Sequence, residues 1–319
     1  MLNPRFVVRI LSAGALIFGA GAARGQGYPN KPIRIITTAA GGPVDLVSRL
    51  TAQGLTGPLG QQVIVDNRTA FQASEAVSKA PPDGYTLITA GGSLWIGPLL
   101  QKMSYDVVRD FAPISIVTRD VLILVVHPSL PVKSVKELTA LAKARPGALN
   151  YASPTVGSPL HLAAALFNAM AGVNIVRVNY KGTASALNDV IAGQVQVMFP
   201  SATAVGQHLK SGRLRGLAVT SAEPSTLAPG LPTMATEGLP GYECTQMYGI
   251  FAPAKTPVAV IDRLNQEVVR AINAGGLKEQ FLNAGMETVG SSPGEFIAKI
   301  KSDISKWSKV INDAGIKMD

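Results

Sequence analysis

The sequence predicts an α/β protein of two lobes, with mixed, mostly parallel sheets and a cleft between the lobes. Short runs rich in β-branched residues alternate with helical patterns along the whole chain, which is typical of βα units. These runs outnumber the strands of one small sheet, and no internal repeat or low-complexity linker interrupts them. We therefore expect lobe 1 at residues 28–122 plus 249–319 and lobe 2 at 123–248, joined by two crossings that form a hinge.

The expected strands are short and mostly apolar on both faces, as strands covered by helices should be. They lie at 33–38, 63–66, 85–90, 122–127, 149–152, 175–180, 195–199, 214–220 and 249–252. Two capping boxes mark helix starts, one at Ser134 with Glu137 and one at Ser292 with Glu295, and Pro257 suits a first helical position. These signals predict helices over 135–144, 257–273 and 293–313.

The N terminus has the pattern of a secretory signal peptide. Arg5 and Arg9 precede an apolar run at 10–22, and small residues follow. Because this run is too short to span a bilayer, we expect residues 1–27 to be a leader cleaved between Ala22 and Gly27, and the mature chain to be periplasmic. A retained anchor is the less favoured alternative.

Composition narrows the function classes. The net charge of +9 suits an anionic ligand, but lysine and arginine are scattered and not interleaved with aromatic residues, so nucleic-acid binding is not expected. Cys244 is the single cysteine, and the spacing of His127, His161 and His208 matches no metal motif. No GxSxG elbow is present. We therefore expect no catalytic residues, no metal and no cofactor.

Two loops have the pattern of a ligand cradle. In the first, Gly41 and Gly42 follow a strand, Pro43 suits the first helical position, and Asp45 complements the helix N-terminus. Free amides at such a helix start attract a carboxylate or a phosphate. The alternative is an ordinary helix start, and the loop lacks the Lys-Ser/Thr of a P-loop.

The second loop, residues 153–161, repeats this pattern in the other half of the chain. Ser158 suits an N-cap position and Pro159 the first helical position, while hydroxyl groups add side-chain donors. His161 lies in the first turn, where the helix dipole should keep it neutral and able to donate to a ligand oxygen. The alternative is a half-buried histidine that caps its own loop. Two such cradles, one in each lobe and facing one cleft, would hold the two ends of a dicarboxylate.

A series of motifs along the chain carries a family resemblance. They are YPNKPIRI at Tyr28, AAGGPVD, VDNR at Val65, PDGYTL at Pro82, DFAPIS at Asp110, SVKELTALAKARPGALNYAS, VNYKG at Val178, GLAVTSAEPS and GLPGYE. In this order and spacing the chain resembles the solute receptors of tripartite tricarboxylate transporters, also called Bug-type binding proteins. The resemblance implies a type II, flytrap-like periplasmic binding protein.

The resemblance also implies which residues contact the ligand. From the first loop they are Thr38, Ala39, Ala40, Gly41, Gly42 and Asp45. From the second loop they are Ser153, Thr155, Gly157, Ser158 and His161. Secondary candidates are Ser93, Lys181, Gly182, Asp189, Phe199 and Pro200.

The chain departs from the family pattern near the expected cleft. Thr37 and Thr38 stand where many relatives carry a proline and an aromatic residue, and residues 69–74 replace a glycine-rich stretch. Pro200 stands where an acidic residue is common, and Pro154 lies in the second loop. These departures leave a dicarboxylate, a monocarboxylate, an aromatic acid or a non-acidic solute as alternatives.

The expected function is capture of a small carboxylate and its delivery to the membrane subunits of a tripartite transporter, by a receptor that acts as a monomer. A ligand sensor for a membrane regulator is the first alternative, since it needs the same lobe closure. A periplasmic enzyme is the second, and it would depend on Ser158 or His161.

Overall fold

The computed structural model describes residues 27–154 and 156–316, so the predicted leader lies outside the described residues except for Gly27. The strands are β1 (Ile33–Thr37), β2 (Val63–Asn67), β3 (Thr86–Gly91), β4 (Phe111–Val121), β5 (Ile123–Val126), β6 (Asn150–Ser153), β7 (Val176–Asn179), β8 (Val197–Met198), β9 (Arg215–Val219), β10 (Thr245–Pro253) and β11 (Glu287–Thr288).

The helices are α1 (Pro43–Leu59), α2 (Ala70–Ser78), α3 (Ser93–Leu100), α4 (Val107–Asp110), α5 (Val135–Ala144), α6 (Pro159–Ala171), α7 (Thr183–Ile191), α8 (Ala202–Lys210), α9 (Val258–Asn273), α10 (Gly275–Asn283) and α11 (Pro293–Asp313). No helix within the described residues is long and apolar enough to cross a membrane.

The strands form two sheets, and the predicted α/β class with mixed sheets is confirmed. The first sheet has the order β11-β4-β10-β3-β1-β2, and the second has the order β7-β6-β8-β5-β9. β1 pairs in parallel with β2 and β3, whereas β10 runs antiparallel to β3 and β4. In the second sheet, β6 is parallel to β7 and β8, and β5 is antiparallel to its neighbours β8 and β9. Most strands of each sheet therefore share one direction, with β10, β11 and β5 reversed.

Apolar side chains cover both faces of the first sheet. One cluster, with Ile35 and Leu55, packs under α1 and α9, and another, with Trp95 and Phe251, packs under α3 and α11. A third cluster surrounds the second sheet and contains Phe167 and Phe199. Each sheet therefore has its own buried core, as two packed lobes require.

The chain crosses between the two sheets at two places, and the second crossing differs from the predicted boundary. Leu122 alone separates β4 of the first sheet from β5 of the second, and the first crossing was predicted after residue 122. The second crossing comes before Thr245, because β10 begins there and pairs with Val121 of β4. The sequence had predicted this crossing after residue 248. The lobe boundaries stay an interpretation, but the register of β10 moves the second one toward the N terminus.

Helix α11 packs against both cores. Phe296 and Ile300 near its start belong to a first-sheet cluster, whereas Trp307 and Ile311 further along belong to the second-sheet cluster. The prediction assigned all of 249–319 to lobe 1, whereas the second half of this helix packs on the core of the second sheet.

Candidate ligand-binding site

A cavity of about 960 Å³ lies between residues of the two sheets. Its walls include Thr89 and Gly91 from β3 of the first sheet, and from the second sheet Gly157 in the loop after β6 and Asn179 at the end of β7. Gln246, on the strand that enters from the second sheet, lines it as well. The expected cleft between the two halves of the chain is therefore present, and it is open to solvent on one side.

Four helices present their first turns to this cavity. The lining residues from these turns are Pro43 and Val44 of α1, Ala70 and Phe71 of α2, Ser93 and Leu94 of α3, and Pro159 of α6. A helix N-terminus carries a partial positive charge and unpaired amides, so these termini together favour a negative group in the cavity. Two of the four, α1 and α6, begin in the loops that the sequence singled out.

The four N-termini differ in how they are capped. Thr69 caps α2 in a reciprocal capping box with Gln72, and Ser158 caps α6 by accepting from the His161 amide. Gly42 and Gly92 stand at the N-cap positions of α1 and α3, and neither provides a side-chain cap. The amides at α1 and α3 are therefore the ones left for a bound anion.

The first loop is held in shape by Asp45. Its buried carboxylate accepts from the Gly41 amide at 2.9 Å, from Arg49 Nε at 3.0 Å and from Asn67 Nδ2 at 2.7 Å. Burial opposes ionisation, but these hydrogen bonds prevail and lower the pKa of Asp45. With Gly41 at a φ of +83°, a conformation that favours glycine, this carboxylate fixes the turn. Its oxygens already accept from these three partners, which makes Asp45 a support of the turn, and the expected contact of Asp45 with a ligand stays a prediction.

Of the residues expected from the first loop, Thr38 is half-buried and lines the cavity. Ala39, Ala40 and Gly41 are exposed and lie outside the set of cavity-lining residues that the structure describes. Gly42 is the N-cap residue of α1. The loop therefore approaches the cavity through Thr38 and the first turn of the helix.

The second loop is held in shape by His161. Its Nδ1 accepts from the Gly157 amide at 3.0 Å, so the neutral ring carries its proton on Nε2. Burial, followed by the charge of Arg177, lowers the pKa of His161 to about 4. The expected neutral histidine is thus confirmed, although burial and not the helix dipole is the main cause. His161 is buried behind the loop, while Gly157 and Ser158 line the cavity.

Arg177 of β7 is a residue that sequence reasoning missed. Its guanidinium donates to Ser153 Oγ, to the Pro154 carbonyl and to Asn179 Oδ1, each at 2.7 Å. Ser153 is therefore a fully buried support of the loop. Thr155 lies outside the described residues. Nothing local to Arg177 in the sequence indicates its contacts with the loop, because Ser153 and Pro154 lie more than twenty residues earlier in the chain.

The secondary candidates divide into one cavity residue and five others. Ser93 lines the cavity at the start of α3. Asp189 instead accepts from the Tyr180 hydroxyl at 2.8 Å, and Phe199 packs against Phe167 in the second core. Pro200 is buried beside the hinge, where its carbonyl accepts from the Ile123 amide at 2.8 Å.

Lys181 is exposed, and Gly182 is the N-cap residue of α7. Like Asp189, Phe199 and Pro200, they are absent from the described cavity lining. The expectation that these five residues contact the ligand is therefore not supported by their placement.

Three polar side chains on strands of the first sheet, Gln246, Asp120 and Thr89, lie at or next to the cavity wall. Gln246 accepts from the Tyr248 hydroxyl at 2.6 Å and stands opposite Asp120 in the pairing of β10 with β4. Asp120 is 9% exposed, and its Oδ1 has no hydrogen-bond partner. Burial raises the pKa of Asp120 to about 7. The Thr89 hydroxyl, also at the cavity wall, is likewise buried without a partner.

The residues between 27 and 316 that the structure describes contain no cluster of three or more histidine, cysteine or acidic side chains placed to hold a metal ion. Cys244 lines the cavity but is buried, and burial raises the pKa of its thiol to about 12, so it is not activated as a nucleophile. The arrangement is suited to holding an anion by amides and hydroxyls.

Comparison with known proteins places the chain among solute receptors. Residues 47–316 match the model of the tripartite tricarboxylate transporter family receptor, TctC. The chain is 33% identical to protein BugT of Bordetella pertussis (strain Tohama I), over 98% of this chain and 99% of that protein.

Three solved structures are similar over nearly their whole length. R. palustris Rpa4515 with adipate is 34% identical with a TM-score of 0.72, covering 91% of this chain and 99% of that one. The periplasmic binding protein BugD is 29% identical with a TM-score of 0.69, covering 92% and 100%. MatC from Rhodopseudomonas palustris with bound malate is 26% identical with a TM-score of 0.68, covering 89% and 100%.

Proposed function

Since the protein belongs to the tripartite tricarboxylate transporter receptor family, whose members bind solutes and are not enzymes, we propose that it captures a small carboxylate in the cavity between its two sheets and delivers it to the membrane subunits of such a transporter. Receptors of this family are periplasmic. We propose the same compartment for this chain, because the predicted leader would export it, and we propose that it acts as a monomer.

The observation that carries the carboxylate proposal is the convergence of helix N-termini on one cavity. α1 and α3 begin at the ends of neighbouring strands β1 and β3, and neither has a side-chain cap. α6 approaches from the other sheet with Gly157 and Ser158 at the wall. Amides and dipoles from both lobes would then converge on one anionic group, and lobe closure around it would follow from binding. Adipate in Rpa4515 and malate in MatC are acids of the kind such a site would hold.

A thermal-shift screen of the mature chain against mono-, di- and tricarboxylates tests this proposal. A ligand present at 100 times its Kd should stabilise the protein by about 2.7 kcal/mol, which is a clear rise in Tm. Uncharged analogues, such as the corresponding amides, should give no rise. Absence of a shift with every carboxylate would refute the proposal.

A matched pair of variants separates binding from stability. Ser158→Ala and Ser134→Ala each remove an N-cap hydroxyl, from α6 and α5 respectively, and each should cost about 1 kcal/mol of stability. Only Ser158 lines the cavity. Ser158→Ala should therefore raise the Kd of a bound carboxylate about fivefold or more, measured by calorimetry, while Ser134→Ala should leave it unchanged. Equal effects from the two variants would argue against the cavity as the site.

A further inference from the structure

Phe71 is an exposed aromatic side chain at the wall of the cavity. It lies in the first turn of α2, which begins in a capping box between Thr69 and Gln72. Its side chain is 51% exposed and nevertheless lines the cavity. An exposed aromatic ring at the wall of a cleft offers a surface for a flat apolar group. This ring lies in the segment 69–74, where the sequence departs from the pattern of its family.

Much of the remaining wall is apolar as well. The half-buried side chains of Ile96, Leu100 and Met103 line it, and so does that of Val156 from the second sheet's side. The volume of about 960 Å³ is near the upper end of the range of roughly 300–1,000 Å³ that holds drug-sized ligands. A short dicarboxylate would leave most of this apolar surface in contact with water.

The charged groups of the wall offer little to a second or third carboxylate. The cations among the described lining residues are Lys299 and Lys306. Lys299 Nζ lies 2.7 Å from Glu243 Oε2 and 3.3 Å from Asp303 Oδ1. Lys306 Nζ lies 3.6 Å from Asp303 Oδ1 and donates to the Glu243 carbonyl at 2.7 Å. Both ammonium groups are thus already paired, and a tricarboxylate would meet no free cation there.

We infer that the ligand is an arylcarboxylate, whose single carboxylate binds at the helix N-termini and whose ring occupies the apolar part of the cavity against Phe71. This inference rests on the proposed function and specifies its substrate class. Phe71 is then a specificity-determining residue, because it contacts the part of the ligand that short aliphatic diacids lack.

Calorimetric titration of the mature protein tests this inference, with benzoate, phenylacetate and 3-phenylpropionate on one side and succinate, malate and citrate on the other. At least one arylcarboxylate should bind ten times more tightly than each aliphatic acid. Tighter binding of succinate, malate or citrate than of every arylcarboxylate would overturn the inference but leave the proposed function standing. Failure of all six acids, and of the wider carboxylate screen, would remove both.

Variants of Phe71 test the residue itself. Phe71→Ala should weaken the best arylcarboxylate about fivefold, while Phe71→Tyr, which keeps the ring, should stay within twofold of the native protein. Ile64→Ala is the control, because Ile64 is 52% exposed on β2 and does not line the cavity, so it should change no affinity. An unchanged arylcarboxylate affinity in Phe71→Ala, with a folded protein confirmed by circular dichroism, would overturn the role of Phe71.

Discussion

The buried carboxyl group of Asp120 should make stability depend on pH in the neutral range. Asp120 lies on β4 next to the hinge, 9% exposed and with Oδ1 unpaired, and burial raises its pKa from 3.8 to about 7. A carboxyl group whose pKa is raised by folding binds its proton more tightly in the native state. Its contribution is therefore most favourable below pH 3.8 and is progressively lost as the pH rises through about 7.

The variant Asp120→Asn removes this titration while keeping the shape of the side chain. From the two pKa values, ionisation of Asp120 destabilises the fold by about 2 kcal/mol at pH 5 and about 4 kcal/mol at pH 8. The advantage of Asp120→Asn over the native protein should therefore grow by about 2 kcal/mol between these pH values. Any cost of the new amide group is the same at both, so the difference isolates the carboxylate.

Urea denaturation at pH 5, 6, 7 and 8 measures this difference directly. Asp262→Asn is the control, since Asp262 is an exposed carboxylate on α9, and its removal should change stability by less than about 0.5 kcal/mol throughout. Parallel stability curves for Asp120→Asn and the native protein between pH 5 and 8 would refute the assignment of a raised pKa to burial of Asp120.

Three further predictions concern the loop supports and the core. The pKa of His161 is lowered from 6.5 to about 4, so its stabilising contribution is present above pH 6.5 and is lost on acidification. Between pH 7 and pH 4, the free energy of unfolding should therefore fall by about 3 kcal/mol more in the native protein than in His161→Gln, as measured by denaturation. Gly249→Ala should cost about 1–3 kcal/mol in thermal unfolding because its Cβ would clash with the Phe296 ring, whereas Gly206→Ala, which has open space around it, should cost nothing. Arg177→Met should raise ligand Kd about tenfold in calorimetry, because the loop after β6 loses its hydrogen bonds, and an unchanged Kd would show that the loop keeps its shape without them.

The helix boundaries were predictable because their signals are local. The helix predicted at 135–144 is α5 (Val135–Ala144), and the one predicted at 293–313 is α11 (Pro293–Asp313). In both, a serine side chain accepts from the amide three residues later, so the cap and the helix are encoded in adjacent residues. The helix predicted at 257–273 begins one residue later, at Val258.

The strand β4 (Phe111–Val121) was not predicted, and its neighbour β10 was predicted to begin four residues too late. β4 contains Pro113, Arg119 and Asp120, which do not have the apolar pattern of a central strand. It is a strand because it pairs along its length with β10, which is more than a hundred residues away in the chain. Pairing partners of this kind leave no local signal in the sequence.

In the candidate site, too, local signals in the sequence predicted some features and long-range contacts decided others. Gly157 and Ser158 were expected from the helix-start pattern of the second loop, Thr38 and Ser93 from the family resemblance, and the structure places all four at one cavity. Asp45 and His161 were expected to contact the ligand, and the structure shows a further role for both, because each accepts a backbone amide of its own loop. Residue types predict that a loop is special, yet the direction of each side chain depends on partners elsewhere in the fold.

By itself, the sequence determined the α/β class, the main helix starts, the two loops and the resemblance to a receptor family, because helix caps, glycine turns and hydrophobic periodicity act between near neighbours. Only the tertiary structure decided that Arg177 braces the second loop, that α11 packs on both cores and that Phe71 stands at the cavity wall. These features depend on which surfaces meet when the sheets pack. The number of such long-range arrangements compatible with one hydrophobic pattern is too large for the pattern alone to select one.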